Sequence, residues 1–148
     1  MVIEKLITGY SQQIINLKRE VSKELLKVGT SDSAKESRYP TGVQERETEI
    51  SYLRERLFHY NNLVKELKSL PLNITKSNKV CIGTTATLMI NNDSNLEVLL
   101  LKNNGDLNNG VISVKSPIGK AIFGKKVGET VTLENNSKVI TLKIACTY

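Results

Sequence analysis

Tryptophan is absent from the 148 residues, phenylalanine occurs twice, and the chain holds one histidine, two cysteines and three prolines. So few rings exclude an aromatic cage or a base-stacking platform. Cys81 and Cys146 are too few for a disulfide-built secreted module, and both are expected to stay reduced near the core. A zinc site would need the two to converge with His59, and their spacing carries no zinc motif; His59 is expected at the surface. No apolar run approaches the ~20 residues of a membrane span, and no basic, apolar leader opens the chain. The reading therefore expects a cytoplasmic protein with no membrane partner.

What is present is ordinary globular material, 39% hydrophobic and 24% charged, enough for one domain or two small ones. The net charge of +6 is spread along the chain: 14 basic and 10 acidic residues up to position 79, then 7 and 5. Such a balance permits contact with nucleic acid or an acidic protein without forming a nucleic-acid arm.

The pattern changes near Pro71. Before it, two series step by threes and fours: Ile3, Ile7, Tyr10, Ile14, Leu17, Val21, Glu24, Val28, and Val43, Arg46, Ile50, Leu53, Leu57, Tyr60, Val64, Leu67. Each predicts a helix of ~27 residues, ~40 Å long, and together a coiled-coil hairpin. The series fit each other in antiparallel register. Val21–Ile50, Ile14–Leu57 and Ile7–Val64 have numbers that sum to 71, while Leu17–Leu53, Tyr10–Tyr60 and Ile3–Leu67 sum to 70. The polar layer Glu24–Arg46 matches acid with base and would pin the register. The apex falls between Lys35 and Glu36, with the helices breaking at Gly29 and Gly42. Taken alone, such a hairpin reads first as an oligomerisation device.

After the linker at 71–79, period-two alternation takes over: Ala86, Leu88 and Ile90 against Thr85, Thr87 and Met89, then Val131 and Leu133, then Ile140, Leu142 and Ile144. Leu96 to Leu101 is nearly all apolar and predicts a strand covered on both faces. Asn-rich turns separate the strands. Ser116 followed by Pro117 predicts the N-cap and first residue of a short helix that Gly124 closes. The fold class is α+β: an N-terminal antiparallel helical hairpin (1–70, tip 29–42) and a small antiparallel β-sheet domain with one short helix (80–148).

Residues 112–133, ISVKSPIGKAIFGKKVGETVTL, carry a long motif: Ile112-Ser113, Ser116-Pro117-Ile118-Gly119, Gly124-Lys125 and Val127-Gly128-Glu129. With the entry strand Val80 to Leu88, this segment closely resembles the C-terminal domain of the bacterial Gre transcript-cleavage factors. The architecture resembles theirs as well, a coiled-coil finger followed by an FKBP-like sheet domain. The resemblance implies docking on bacterial RNA polymerase at its secondary channel through Ser116, Pro117, Ile118 and Gly119. It implies that fingertip carboxylates share a Mg²⁺ ion with the polymerase active site, so that the polymerase cuts the backtracked RNA 3′ end. The factor would be a co-catalyst and not itself an enzyme, with RNA, and weakly DNA, as further contacts.

The family tip reads approximately Gly-Asp-Leu-Ser-Glu-Asn-Ala-Glu-Tyr; here Ser31 to Tyr39 reads SDSAKESRY. The first acid falls on Asp32, Lys35 stands at the second acid's position, and Glu36 follows. Asp32 and Glu36 are the candidate catalytic and metal-binding residues; Asp32 also reads as a turn or capping residue. Arg19, Lys23 and Lys27 form a stripe that resembles the family's RNA-steering patch, although such a stripe is more often a solvated helix face. Two alternatives remain: a cleavage-inactive channel regulator, favoured by the altered tip, and a prolyl isomerase, for which Phe123 and Tyr148 offer few rings.

Overall fold

Three-four spacing of apolar residues becomes two long helices in the computed structural model, which describes residues 2–30, 41–71, 78–91, 93–135 and 138–147. The chain divides into two units, Met1–Lys65 and Glu66–Tyr148. Helix α1 spans Val2–Thr30 and α2 spans Thr41–Ser69, 29 residues each, or about 43 Å at 1.5 Å per residue. Tyr10, Leu17, Ile50 and Leu53 of the two series are buried, and Ile3, Ile7, Ile14, Val21 and Leu57 are half-buried, while Lys18, Arg19 and Glu20 are exposed. Tyr10 and Tyr60 meet with ring centroids 5.5 Å apart. This is the layer that antiparallel register requires, and a tilted ring pair of this kind adds about 0.5–1.5 kcal/mol beyond its burial. His59, expected at the surface, is half-buried with its ring 5.8 Å from that of Tyr60.

Two expectations for the hairpin are corrected. Glu24 does not pin the register: its carboxylate takes the Lys27 ammonium one turn along α1, and among the described residues no ion pair joins it to Arg46. A partner three residues away on the same helix is already in reach, whereas crossing to α2 would fix two long side chains. The helices also do not break at the glycines, since α1 runs through Gly29 and α2 begins before Gly42. A helical glycine costs only about 1 kcal/mol, and a helix already propagated through seven turns carries that. The tip, with Asp32, Lys35 and Glu36, lies outside the described residues.

In the second unit, strands β1 (Thr85–Ile90), β2 (Ser94–Leu101), β3 (Val111–Ser113), β4 (Thr130–Asn135) and β5 (Lys138–Thr147) form one sheet in the order β3-β2-β1-β5-β4. Helix α3, Pro117–Ile122, lies between β3 and β4 in the chain. Alternation sets the core: Ala86 and Leu88 of β1, Val98 and Leu100 of β2, Ile112, Ile122, Leu142 and Ile144 pack into one cluster with Val80. Val98 to Leu101 is buried on both faces, as its unbroken apolar run requires. Cys81 is half-buried in the turn before β1, where the Thr84 hydroxyl donates to its carbonyl at 2.8 Å; the Cys146 side chain lies outside the described residues.

The sheet is not wholly antiparallel. Strand β3 runs parallel to β2, with Leu99 opposite Val111 and Leu101 opposite Ser113. The chain returns in nine residues through a 3-10 turn, Leu107–Asn109, that ends on Gly110 at φ +68°. A Cβ there would lie 2.7 Å from the Glu97 carbonyl oxygen, so only glycine makes this return.

The last turn of α2 belongs to the sheet unit through one carboxylate. Glu66 Oε1 accepts the backbone N–H groups of Lys102 (2.6 Å) and Asn103 (2.9 Å), and Oε2 accepts the backbone N–H (3.1 Å) and side-chain amide (2.5 Å) of Asn104. Four donors around one anion are charge-assisted bonds of the stronger kind. Glu66→Ala leaves these donors to water and is expected to destabilise the second unit by about 1–3 kcal/mol, read as a lower midpoint in urea unfolding with an unchanged slope.

Candidate functional site

Ser113 to Gly119 begins with a strand that stops and a helix that must start within three residues. Ser116 has extended backbone, and its Oγ accepts the Gly119 N–H at 3.0 Å while donating to the Ser113 carbonyl at 2.7 Å. One hydroxyl thus caps α3 and ties it to the end of β3. Pro117 takes the first helical position, where its missing N–H is not needed. Gly119 is buried, and a Cβ on it would lie 2.0 Å from the Ser113 carbonyl oxygen, so α3 packs at backbone contact. Ser116 and Ile118 are half-buried and Pro117 is exposed.

Beside this loop opens an apolar groove of about 770 Å³. Leu88, Ile90, Leu96, Val111, Leu133, Ile140 and Leu142 line it from the sheet, Leu107 from the β2–β3 crossover, and Ser116, Pro117 and Ile118 from the start of α3. Leu107 is 56% exposed, a large aliphatic side chain left open to water in an otherwise polar turn. An aliphatic concavity with a few hydroxyls at its edge suits an apolar side chain of a partner. No ring lines it among the described residues: Phe123 is not part of it and Tyr148 is outside them. The aromatic box expected of a prolyl isomerase therefore has no counterpart there.

Residues 75–146 match the family model for the C-terminal domain of transcription elongation factors GreA/GreB. Over 139 residues the chain is 33% identical to transcription elongation factor GreA of Chloroherpeton thalassium, covering 85% of this chain and 84% of that protein. The chain belongs to the GreA/GreB family. It is also 35% identical over 103 residues to GreA of Caldanaerobacter subterraneus, where the match covers 68% of this chain and 65% of the relative. Among solved structures, the GreA factor homolog 1 protein of Thermus thermophilus aligns over 96% of this chain and 94% of its own, at 14% identity and a TM-score of 0.42.

In this GreA/GreB-family protein the expected docking residues divide by exposure. Ser116, Pro117 and Ile118 border the groove, whereas Gly119 is spent on packing against Ser113. Arg19, Lys23 and Lys27 are exposed on α1, and Lys27 is ion-paired with Glu24. Asp32 and Glu36 lie outside the described residues, and among those described no cluster of His, Cys, Asp or Glu could hold a metal. No described helix is long and apolar enough to cross a membrane. No motif in the sequence marks the groove. Leu107 was its available signal, an apolar residue set among the asparagines of a turn.

At the far end of α3 the chain forms a ribbon: Val80 N–H bonds the Lys125 carbonyl (2.8 Å), Gly124 N–H the Val80 carbonyl (2.8 Å) and Val127 N–H the Asn78 carbonyl (3.2 Å). Glu129 closes it. Its carboxyl is held below the ordinary 4.5 first by the Lys126 backbone N–H and then by the Lys125 ammonium, 3.3 Å away.

Two outcomes are expected. Gly119→Ala forces a methyl group into the Ser113 carbonyl and should cost about 2 kcal/mol or more, lowering the thermal midpoint. Because the Glu129 value is lowered on folding, its contribution is present above the ordinary value of 4.5 and is lost as pH falls through the lowered one. An NMR titration should place Glu129 below 4.5 and show it moving upward in Lys125→Ala.

Proposed function

We propose that this protein is a transcription elongation factor that binds bacterial RNA polymerase at its secondary channel and stimulates cleavage of backtracked RNA. The observation that carries the reading is the aliphatic groove bordered by Pro117 and Ile118, set in a chain 33% identical to a GreA over a match that covers 85% of it. The groove receives an apolar side chain of the polymerase, and the Ser116 cap holds its edge rigid so that little ordering is lost on docking.

The hairpin supplies the reach. Asp32 and Glu36 at its tip offer hard oxygen ligands of the kind Mg²⁺ prefers, to an ion that the polymerase holds only in part. Asp32 and Glu36 would hold such an ion jointly with the polymerase, and it would supply Lewis-acid polarisation of the scissile phosphate and its attacking water. Asp32 and Glu36 orient that water and the RNA 3′ end, and Lys35 beside them weakens the negative field that draws the cation. Arg19 and Lys23, exposed along α1, steer the RNA. The protein acts in the cytoplasm as a co-catalyst: the bonds are cut by the polymerase, and DNA is at most a weak contact.

Lys35 at the place of the second acid supports one other reading, a regulator that enters the channel without promoting cleavage. A stalled, backtracked complex separates the two. The parent protein is expected to release short 3′ fragments faster, and Asp32→Ala and Glu36→Ala each to slow release by roughly ten-fold, about 1.4 kcal/mol, with polymerase affinity retained. Competition with a cleavage-active factor and no RNA shortening would establish the regulator instead.

A further inference from the structure

The two edges of the sheet are finished differently. At the β3 edge, Asp106 takes both backbone groups of Val111, at 2.9 and 2.8 Å. The Ser113 carbonyl there accepts the Ser116 N–H at 3.0 Å and the Ser116 hydroxyl at 2.7 Å. The β4 edge has no such closure. Thr132 stands opposite Thr141 and Thr130 opposite Lys143. Thr141 turns its own backbone toward β1: its carbonyl accepts the Asn91 N–H at 2.8 Å and its N–H donates to the Asn91 side-chain oxygen at 2.9 Å. Lys143, two residues on, likewise stands against Met89 of β1. Backbone groups alternate in direction along an antiparallel ladder, so Thr130 and Thr132 aim theirs away from β5. Among the described residues nothing bonds to them there. Both threonines are exposed, whereas Val131 and Leu133 are half-buried against the core. Strand β4 pairs one-to-one over six residues without a bulge and holds neither proline nor lysine, the devices by which an edge strand avoids further pairing.

From this we infer that β4 is a self-pairing edge, on which a second copy of this chain docks antiparallel about a two-fold axis at Thr132. An added strand must match donors to acceptors and keep its apolar residues on the core face. Strand β4 meets both conditions with itself. With Thr132 opposite Thr132 of the second copy, Val131 falls opposite Leu133 and Thr130 opposite Glu134. No charged residue then meets its like, threonine faces threonine at the centre, and the two core faces run on from one sheet to the other. A slip of one residue sets Val131 against Thr132 and turns one core face toward the other sheet's solvent face. An unrelated extended segment would find the same backbone groups, but its side chains would have to be matched separately, whereas symmetry supplies the match here. The contact is isologous, so pairing stops at two copies. Six residues of strand extend ~20 Å, which belongs to the small class of interface and makes the dimer weak and concentration-dependent. The inference does not rest on polymerase binding.

Sedimentation equilibrium of the full chain over a concentration series at low salt tests this, with amide exchange followed by NMR on the same samples. The parent is expected to dimerise as concentration rises, and the Thr130 and Thr132 amides to exchange more slowly as it does. Thr132→Lys and Thr132→Glu each set like charges directly opposite across the axis and should weaken self-association about five-fold. An equimolar mixture of the two variants pairs lysine with glutamate and should recover the parent's association or exceed it. Both variants should keep the parent's thermal midpoint in dilute solution, since Thr132 is exposed. A parent that stays monomeric up to about 1 mM overturns the inference. A dimer that neither variant weakens lies on another surface, the hairpin included, and overturns it too. Loss of association in both variants that mixing does not recover shows that Thr132 does not meet its own copy, and it likewise overturns the two-fold pairing.

Discussion

The approach of Gly119 to the Ser113 carbonyl is the constraint on which helix α3 and the groove beside it depend. A helix of six residues has no stability of its own. It exists because Ser116 caps it, Ile122 plugs it into the sheet core, and the missing side chain at 119 lets the backbones touch. Once α3 is fixed, Pro117 and Ile118 become one wall of the groove and Phe123 is carried to the ribbon. The groove wall is thus set by a single backbone contact, which is why the motif needs Ser, Pro and Gly at fixed spacing.

The hairpin obeys a different economy. Its helices are held by a narrow stripe of aliphatic and tyrosine side chains, with charged, polar and a few large apolar residues such as Leu26 and Phe58 open to water on the other faces. The stripe tolerates imperfection: Glu24 sits in it with Lys27 as its partner, and glycines pass within the helices. Length is what this design provides, since the stripe specifies register at each layer and leaves the outer faces free for a basic row such as Arg19 and Lys23. The sheet unit takes over at the last turn of α2, where Glu66 fills a nest of backbone N–H groups that would otherwise need water.

Much of this was legible beforehand because it rests on period and on local chemistry. The pairing of Tyr10 with Tyr60 followed from counting alone, as did the cap at Ser116 and the alternation along β1 and β5. The polar layer was not legible. Glu24 and Arg46 face each other by number, yet a charge chooses the partner that costs least side-chain order, and that was Lys27. The parallel edge of the sheet was equally hidden, because strand direction at β3 depends on a nine-residue return whose outcome Gly110 decides. The groove was hidden because its walls come from seven separate segments, of which only Leu107, apolar among asparagines, stands out in the sequence.

By itself the amino-acid order determined the two helices, their antiparallel match, the strand faces and the motif from Ser113 to Glu129, because periodicity and capping act between near neighbours. Tertiary structure alone decided that Leu107, Leu133 and Pro117 share one concavity, that Lys79 stands against Lys126, and that Glu66 closes on residues 102–104. These are contacts between residues far apart in the chain, and only the packing of the sheet brings their backbones together.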